Sequence, residues 1–298
     1  MRYAAIDIGS NAIRMLITEV NQTGKNITSK KNSLIRVPLR LGDDAFLDKK
    51  ISPKKATDLL KTMSAFRNLM DVYKVSDYMA CATSAMREAV NGNDIVAEIK
   101  DKAHINLEII SGQREASIIY ASNINEQIDP AKNYLYIDVG GGSTELSFFS
   151  AGKPQVSQSF NIGTIRMLDN QDKEETWQEM KEWIKTHSKT FKNLYGIGTG
   201  GNINKIFRMS EEKDGTALSL AKLRSIAVYL NSFSLKDRIT VLGLSQDRAD
   251  VIIPACEIYQ NVMKWGGVKS IYVPRVGLVD GIIQLLIDKN LAKNTHVS

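Results

Sequence analysis

The sequence predicts an α/β protein built from two domains related by internal duplication. Strand-like runs alternate with helical periodicity along the chain, and 298 residues suit two ordinary domains. The segment AAIDIGSNAIRMLIT also aligns without a gap on LYIDVGGGSTELSFF, which places Asp7 over Asp138, Gly9 over Gly140 and Arg14 over Glu145. An apolar run, an aspartate, a glycine turn and a resumed strand thus recur at the start of each half. The expected domains are 1–125 and 126–298. The polar stretch NEQIDPAKN, with Pro130, would join them near Glu126. The last helix is expected to be able to return to the first domain, which would give two hinge crossings.

The elements follow in order. AAIDI, GSN and IRMLITEV read as strand, tight turn and strand around Gly9 to Asn11. Ser52 to Tyr73 carries Leu59, Leu60, Met63, Phe66, Leu69 and Met70 at the spacing of one helix face, and Ser52-Pro53 supplies a cap and first turn. DYMACATSA reads as a buried strand and turn, DIVAEIKDKA as a helix, INLEII as a strand and SGQREASIIYASNI as a helix. The second half opens with YLYIDVGGGSTELSFFS, again strand, turn and strand. NLYGIGTGGNINKIF adds a third glycine turn at Gly200 that continues as a helix. Helical patterns run through LSLAKLRSIAVYLNSF and DRADVIIPACEIYQNVMKW, SIYVPR is strand-like, and GLVDGIIQLLID closes as a helix.

Composition removes several function classes. The only apolar run near the N-terminus contains Asp7, so no export signal is expected and the protein is placed in the cytoplasm. No window offers the roughly 18 apolar residues of a membrane span, since LVDGIIQLLI is broken by Asp280 and Gly281. Cys81 and Cys256 lie in apolar contexts without metal-ligand spacing, and His104, His187 and His296 are too few for a histidine-built metal site. Any metal would have oxygen ligands. The net charge of +6 favours polyanions in general. Nucleic acid is not expected as a partner, because no zinc-finger, RRM or basic-zipper signature is present. The clusters Lys49, Lys50, Lys54, Lys55 and Lys185, Lys189, Lys192 read as solvated helix faces.

Consecutive small residues let backbone amides converge on phosphate oxygens without a competing side chain. Gly9, Ser10 and Asn11, then Gly140, Gly141, Gly142, Ser143 and Thr144, and finally Gly200 are therefore candidate phosphate-binding positions. They form neither a P-loop nor a dinucleotide fingerprint, because VGGGST leads into the strand-like ELSFF. Asp7 and Asp138 end their strands at the turns, where a carboxylate either holds hydrated Mg2+ beside phosphate or simply caps the turn. Glu145 shares the metal-ligand expectation. Arg14 and Arg87 are candidate phosphate clamps, with surface arginine as the plainer alternative, and Arg40 and Arg248 are weaker candidates. Glu115 by itself is an early-helix glutamate favoured by the dipole.

The motifs AAIDIGSNAIRMLI, RVPLRLGDD, ACATSAMREAVNG, EIISGQREA, YIDVGGGSTEL, GIGTGGNI, RADVIIPACEIY and VPRVGLVDG occur in that order. In that order the chain resembles the exopolyphosphatase and guanosine pentaphosphate phosphatase family of the actin-like ATPase superfamily, over nearly its whole length. The resemblance implies two actin-like, ribonuclease H-like domains with the active site in the interdomain cleft. It also implies Glu115 as the catalytic base for a water attacking the terminal phosphorus, and Asp138 and Glu145 as Mg2+ ligands, with Mn2+ as an alternative metal. Inorganic polyphosphate is the first expected substrate and guanosine pentaphosphate the second, and a homodimer is expected. The family's GLREG pattern stands here as Gly277-Leu278-Val279-Asp280-Gly281. The helical C-terminal region of longer relatives is not expected. Rival readings are an ATP-dependent kinase or chaperone-like ATPase and a non-catalytic sensor of polyphosphate or an alarmone.

Overall fold

The computed structural model describes residues 1–23, 26–122, 129 and 131–295. The join expected near Glu126, with Pro130, lies outside the described residues. The chain divides into two compact units, one of Met1–Asn123 with Val276–Ser298 and the other of Ile124–Arg275.

The first unit is built on a five-stranded sheet. Its strands are β1 (Arg2–Ile8), β2 (Ile13–Thr23), β3 (Asn26–Val37), β4 (Asp77–Ala82) and β5 (Leu107–Ile109), in the order β3-β2-β1-β4-β5. The first three run as an antiparallel meander, while β4 and β5 extend the sheet in parallel to β1. Helices α1 (Leu41–Leu47), α2 (Pro53–Val72), α3 (Ser84–Glu88), α4 (Gly92–Ala103) and α5 (Gly112–Tyr120) fill the connections. In α2 the predicted cap is present, the Ser52 hydroxyl accepting from the Lys55 amide with Pro53 opening the helix. Leu59, Met63, Phe66 and Met70 are buried as the periodicity requires.

The second unit repeats this plan. Strands β6 (Asn133–Val139), β7 (Thr144–Ser150) and β8 (Lys153–Phe160) form an antiparallel meander, and β9 (Leu194–Thr199) pairs in parallel with β6. With β10 (Ala217–Ser219) and β11 (Ser270–Tyr272) the sheet order is β10-β11-β9-β6-β7-β8. Read from β8 to β11, that order is the order of the first sheet, with β10 added at the edge. Helices α6 (Thr164–Leu168), α7 (Glu174–Ser188), α8 (Gly201–Met209), α9 (Leu220–Asn231), α10 (Leu235–Thr240), α11 (Gln246–Ala249) and α12 (Ile252–Trp265) complete it. Its core joins Leu135, Ile137, Leu146 and Phe148 of the sheet to Ile203, Phe207, Ile258 and Val262 of the helices. Phe148 stacks on Phe191 with ring centroids 5.2 Å apart.

The closing helix α13 (Leu278–Thr295) belongs to the first unit and packs on α5 and β1. Leu278, Ile282, Leu286 and Ile287 are buried there. Asp280, in the segment that departs from the family pattern, accepts the Gly277 amide at 2.9 Å. It also pairs with Lys31 at 2.5 Å. Its carboxylate therefore caps its own helix and ties it to β3.

Three strands were not legible in the sequence. β3 is exposed over most of its length, with Lys30 and Lys31 at positions that an edge strand tolerates, so it shows no apolar alternation. β8 begins polar for the same reason. β10 is a three-residue strand inside a stretch that reads as helix, and Ser219 ends it by capping α9.

Candidate functional site

Each unit presents a glycine turn between its first two strands, and each turn is held by the short helix that follows the third strand. In the first unit, the Gly9 amide donates to the Ala12 carbonyl at 3.2 Å and closes the turn. The carbonyls of Ser10 and Asn11 accept from the Gly42 and Arg40 amides at 2.9 and 3.0 Å, at the start of α1. A trans peptide aims each N–H opposite to the carbonyl before it. The amides of Asn11 and Ala12 therefore point away from α1. The buried Ser10 hydroxyl is shared with Ser84 at 2.8 Å, which fixes the turn to the start of α3.

The second turn uses the same device with one more peptide. Gly140 donates to the Ser143 carbonyl at 2.9 Å, while Thr164 donates to the Gly140 carbonyl at 3.1 Å and Ile165 to the Gly141 carbonyl at 2.8 Å. The buried Arg166 adds its Nε to the Gly142 carbonyl at 2.8 Å. With three successive carbonyls held towards α6, the amides of Gly141, Gly142 and Ser143 point together to the other side, an arrangement of the kind that suits an anion. The Thr144 hydroxyl donates to the Ile162 carbonyl at 2.6 Å, so Thr144 supports the turn from beneath.

The close approach leaves no room at Gly163, where a Cβ would stand 2.5 Å from the Gly141 oxygen and the Gly142 carbonyl carbon. Gly163→Ala is expected to destabilise the protein by about 1–3 kcal/mol through forced backbone displacement. Urea denaturation checks this, and a midpoint equal to the wild type would show that the turn yields freely.

The register places the two duplicated aspartates identically and gives them opposite partners. Asp7 faces Arg14 across β1 and β2, and their carboxylate and guanidinium pair at 3.0 Å. Burial pushes the Asp7 carboxyl above its usual range, and Arg14 pulls it part of the way back. Asp138 faces Glu145 across β6 and β7, so two carboxylates stand where the first unit has an ion pair. Glu145 is buried, and its Oε1 accepts from the hydroxyls of Ser143 at 2.7 Å and Ser159 at 2.9 Å. Neighbouring carboxylates with oxygen donors suit a hard divalent cation, so the residues fit Mg2+ or Mn2+. Gly200, at φ 108°, leads from β9 into α8 beside Asp138.

The other predicted residues of the first unit gather at the carboxyl ends of its parallel strands, where ligands bind in open α/β sheets. Arg87 lies in α3 after β4, and its Nη1 donates to the Ile110 carbonyl at 2.7 Å, which commits part of the guanidinium to the β5–α5 connection. Glu115 lies in the first turn of α5 after β5. Ser111 caps that helix, accepting the Arg114 amide at 3.1 Å, and the Glu115 amide donates to the Ser111 carbonyl at 2.9 Å.

Arg166, Ser159 and Lys55 were missed by sequence reasoning. Arg166 and Ser159 carry no signal beyond their residue type. Lys55, read as part of a solvated face, instead donates to the Arg40 carbonyl at 2.6 Å and pairs with Asp44 at 2.7 Å. That tie holds Arg40 in the left-handed conformation, φ 50°, from which its amide reaches the first turn. At Asp44 burial pushes the carboxyl up, but hydrogen bonds from Lys55 and Ser52 outweigh it and hold the pKa below the ordinary value of 3.8. The sign follows: stability from Asp44 is present above the unfolded value and lost as pH falls through the lower folded one. Asp44→Asn is expected to unfold at lower urea than wild type at pH 7, with the gap closing below about pH 3.8. A gap constant with pH would show that the charge is not responsible.

The sequence profile described as the Ppx/GppA phosphatase family matches residues 31–290. The chain belongs to that family. Among Ppx/GppA relatives, exopolyphosphatase 1 of Mycobacterium tuberculosis is 23% identical over 308 residues, covering 97% of this chain and 89% of that protein. The bifunctional 3-dehydroquinate synthase/phosphatase of Fusobacterium nucleatum is 29% identical over 293 residues, covering 91% of this chain but 44% of that protein, so the chain spans less than half of it. The crystal structure of an exopolyphosphatase from Cytophaga hutchinsonii shares the fold with a TM-score of 0.84 at 24% identity, covering 97% of this chain and 98% of that one. The Aquifex aeolicus Ppx/GppA family member does so with 0.76 at 22% identity, covering 97% and 98%. The fold is thus the α/β Ppx/GppA fold, with two sheets of corresponding strand order. Among the described residues no helix is long and apolar enough to cross a membrane.

Proposed function

We propose that this Ppx/GppA chain hydrolyses the terminal phosphoanhydride of inorganic polyphosphate. The observation that carries the proposal is the second turn, where three amides aimed to one side stand beside the Asp138–Glu145 carboxylate pair. Phosphoryl transfer asks mainly for alignment and charge neutralisation, which such a turn and pair supply.

In this reading the amides of Gly141, Gly142 and Ser143 hold oxygens of the terminal phosphate, and the turn at Gly9, Ser10 and Asn11 holds the next part of the chain. Asp138 and Glu145 would hold Mg2+ or Mn2+, which when bound offsets charge on the phosphate oxygens. The expected set included Asp7, whose carboxylate we assign instead to orienting Arg14 towards the substrate. Arg87 adds a second guanidinium. Glu115 accepts a proton from water as its oxygen bonds to the terminal phosphorus, the P–O anhydride bond breaks, and orthophosphate leaves a chain one unit shorter. Support for the roles of Glu115 and Arg87 is the family resemblance and their position at the strand ends. A cytoplasmic homodimer is part of the same proposal.

The test is release of orthophosphate, with Mg2+, from polyphosphate of several lengths, guanosine pentaphosphate and ATP. Release from polyphosphate at the highest kcat/KM is expected. A preference for guanosine pentaphosphate would move the assignment to the other named activity of the family. Release from none, with binding retained, would make the protein a sensor.

A further inference from the structure

The aspartate–arginine pair of the first unit is two members of a longer row. Arg14 on β2 faces Asp7 on one side and Arg36 of β3 on the other, so Asp7, Arg14 and Arg36 line up across three strands. Residues directly opposite in an antiparallel sheet share a face, so the two guanidinium stems rise side by side. The equivalent row in the second unit is Asp138, Glu145 and Ser159. One row thus carries two cations and one anion, and its duplicate carries two anions and a hydroxyl. The second suits a metal cation. The first suits an anion, because it sets two guanidinium groups side by side on one face beside a single carboxylate of the row. Arg14 keeps a third of its side chain exposed while paired with Asp7, and a guanidinium has donors left for a second acceptor. Arg36 is half-buried beside it.

We propose that Arg36 is a further anion-binding residue, gripping an inner phosphate of a linear polyphosphate together with Arg14. This rests on the phosphohydrolase reading above and names the part of the chain that the first unit holds. The planar fork of arginine suits bidentate contact with phosphate oxygens, so lysine is an incomplete substitute.

Calorimetric titration with inorganic tripolyphosphate in EDTA reads this without turnover, on the whole chain and on Arg36→Gln and Arg36→Lys. Arg36→Gln is expected to raise the Kd for tripolyphosphate on the order of tenfold, the loss of one charge-assisted contact, with Tm no lower than that of the wild type because a directly opposed like-charge pair is removed. Arg36→Lys is expected to raise it less, and it carries the test should the glutamine variant fail to fold. Orthophosphate, too short to reach an inner subsite, should bind all three alike. Wild-type affinity for tripolyphosphate in both variants overturns the inference and leaves the hydrolase reading intact. Equal weakening of orthophosphate also overturns it, since Arg36 would then act on the terminal site or on the fold. Failure of the wild-type chain to bind tripolyphosphate at all would instead bring down the hydrolase reading.

Discussion

Glu115→Gln is expected to release phosphate from polyphosphate roughly 10²- to 10⁴-fold more slowly than the wild type, the range for loss of a positioned general base. Glutamine has nearly the shape of glutamate and keeps an oxygen acceptor, so the Ser111 cap and the α5 turn should persist. KM and thermal stability should therefore change little. This separation identifies the role: an interaction made only in the transition state lowers kcat and kcat/KM together. Steady-state kinetics on wild type and variant decide it. A kcat within about threefold of wild type would remove Glu115 from the chemistry, and a matching fall in Tm would recast it as a structural residue.

Glu145→Gln should show the opposite signs in stability and in turnover. The substitution removes one of two neighbouring carboxylates while leaving an oxygen to accept from Ser143 and Ser159. In EDTA the variant should be more stable than the wild type by about 1 kcal/mol, the scale of a directly opposed like-charge pair. With Mg2+ the order should reverse, because bound metal stabilises the wild type in proportion to the logarithm of its concentration over Kd. Turnover should fall by roughly 10²-fold or more, as when an electrostatic stabiliser is lost. Thermal melts in EDTA and across a Mg2+ titration check the first part. A variant destabilised in EDTA would mean that the carboxylate pair is held together by the fold rather than poised for a cation.

Such a trade would mark a position where local rules of stability give way to function, and the two positions concerned were ones that aligning the chain on itself could find. Asp138 and Glu145 stand out because one hairpin overlays the other without a gap, and the register confirms that the overlay pairs equivalent positions. The turns were equally legible, since glycine and small polar residues between apolar strands have few other uses.

What holds the turns was not legible. Gly42 reaches Ser10, Arg166 reaches Gly142, and Lys55 reaches Arg40 across 15 to 32 residues of chain, by contacts that depend on where a short helix lands after an exposed strand. No periodicity encodes that landing. Arg36 was hidden for a related reason, because β3 alternates too weakly to be seen as a strand and its register with Arg14 is a property of the sheet. Glu115 was visible as a catalytic candidate only through family resemblance. Its helix position and cap are what any early-helix glutamate would show.

The return of α13 to the first unit has a consequence for how the polypeptide comes to be folded. Lys289 meets Asp77 across 212 residues of sequence, and all of the second unit is synthesised between them. On a ribosome the first sheet therefore emerges early but waits for its last covering helix until the second unit has been made. Until then β1 lacks the cover that Ile282 and the rest of α13 will provide, and long closure of this kind slows folding.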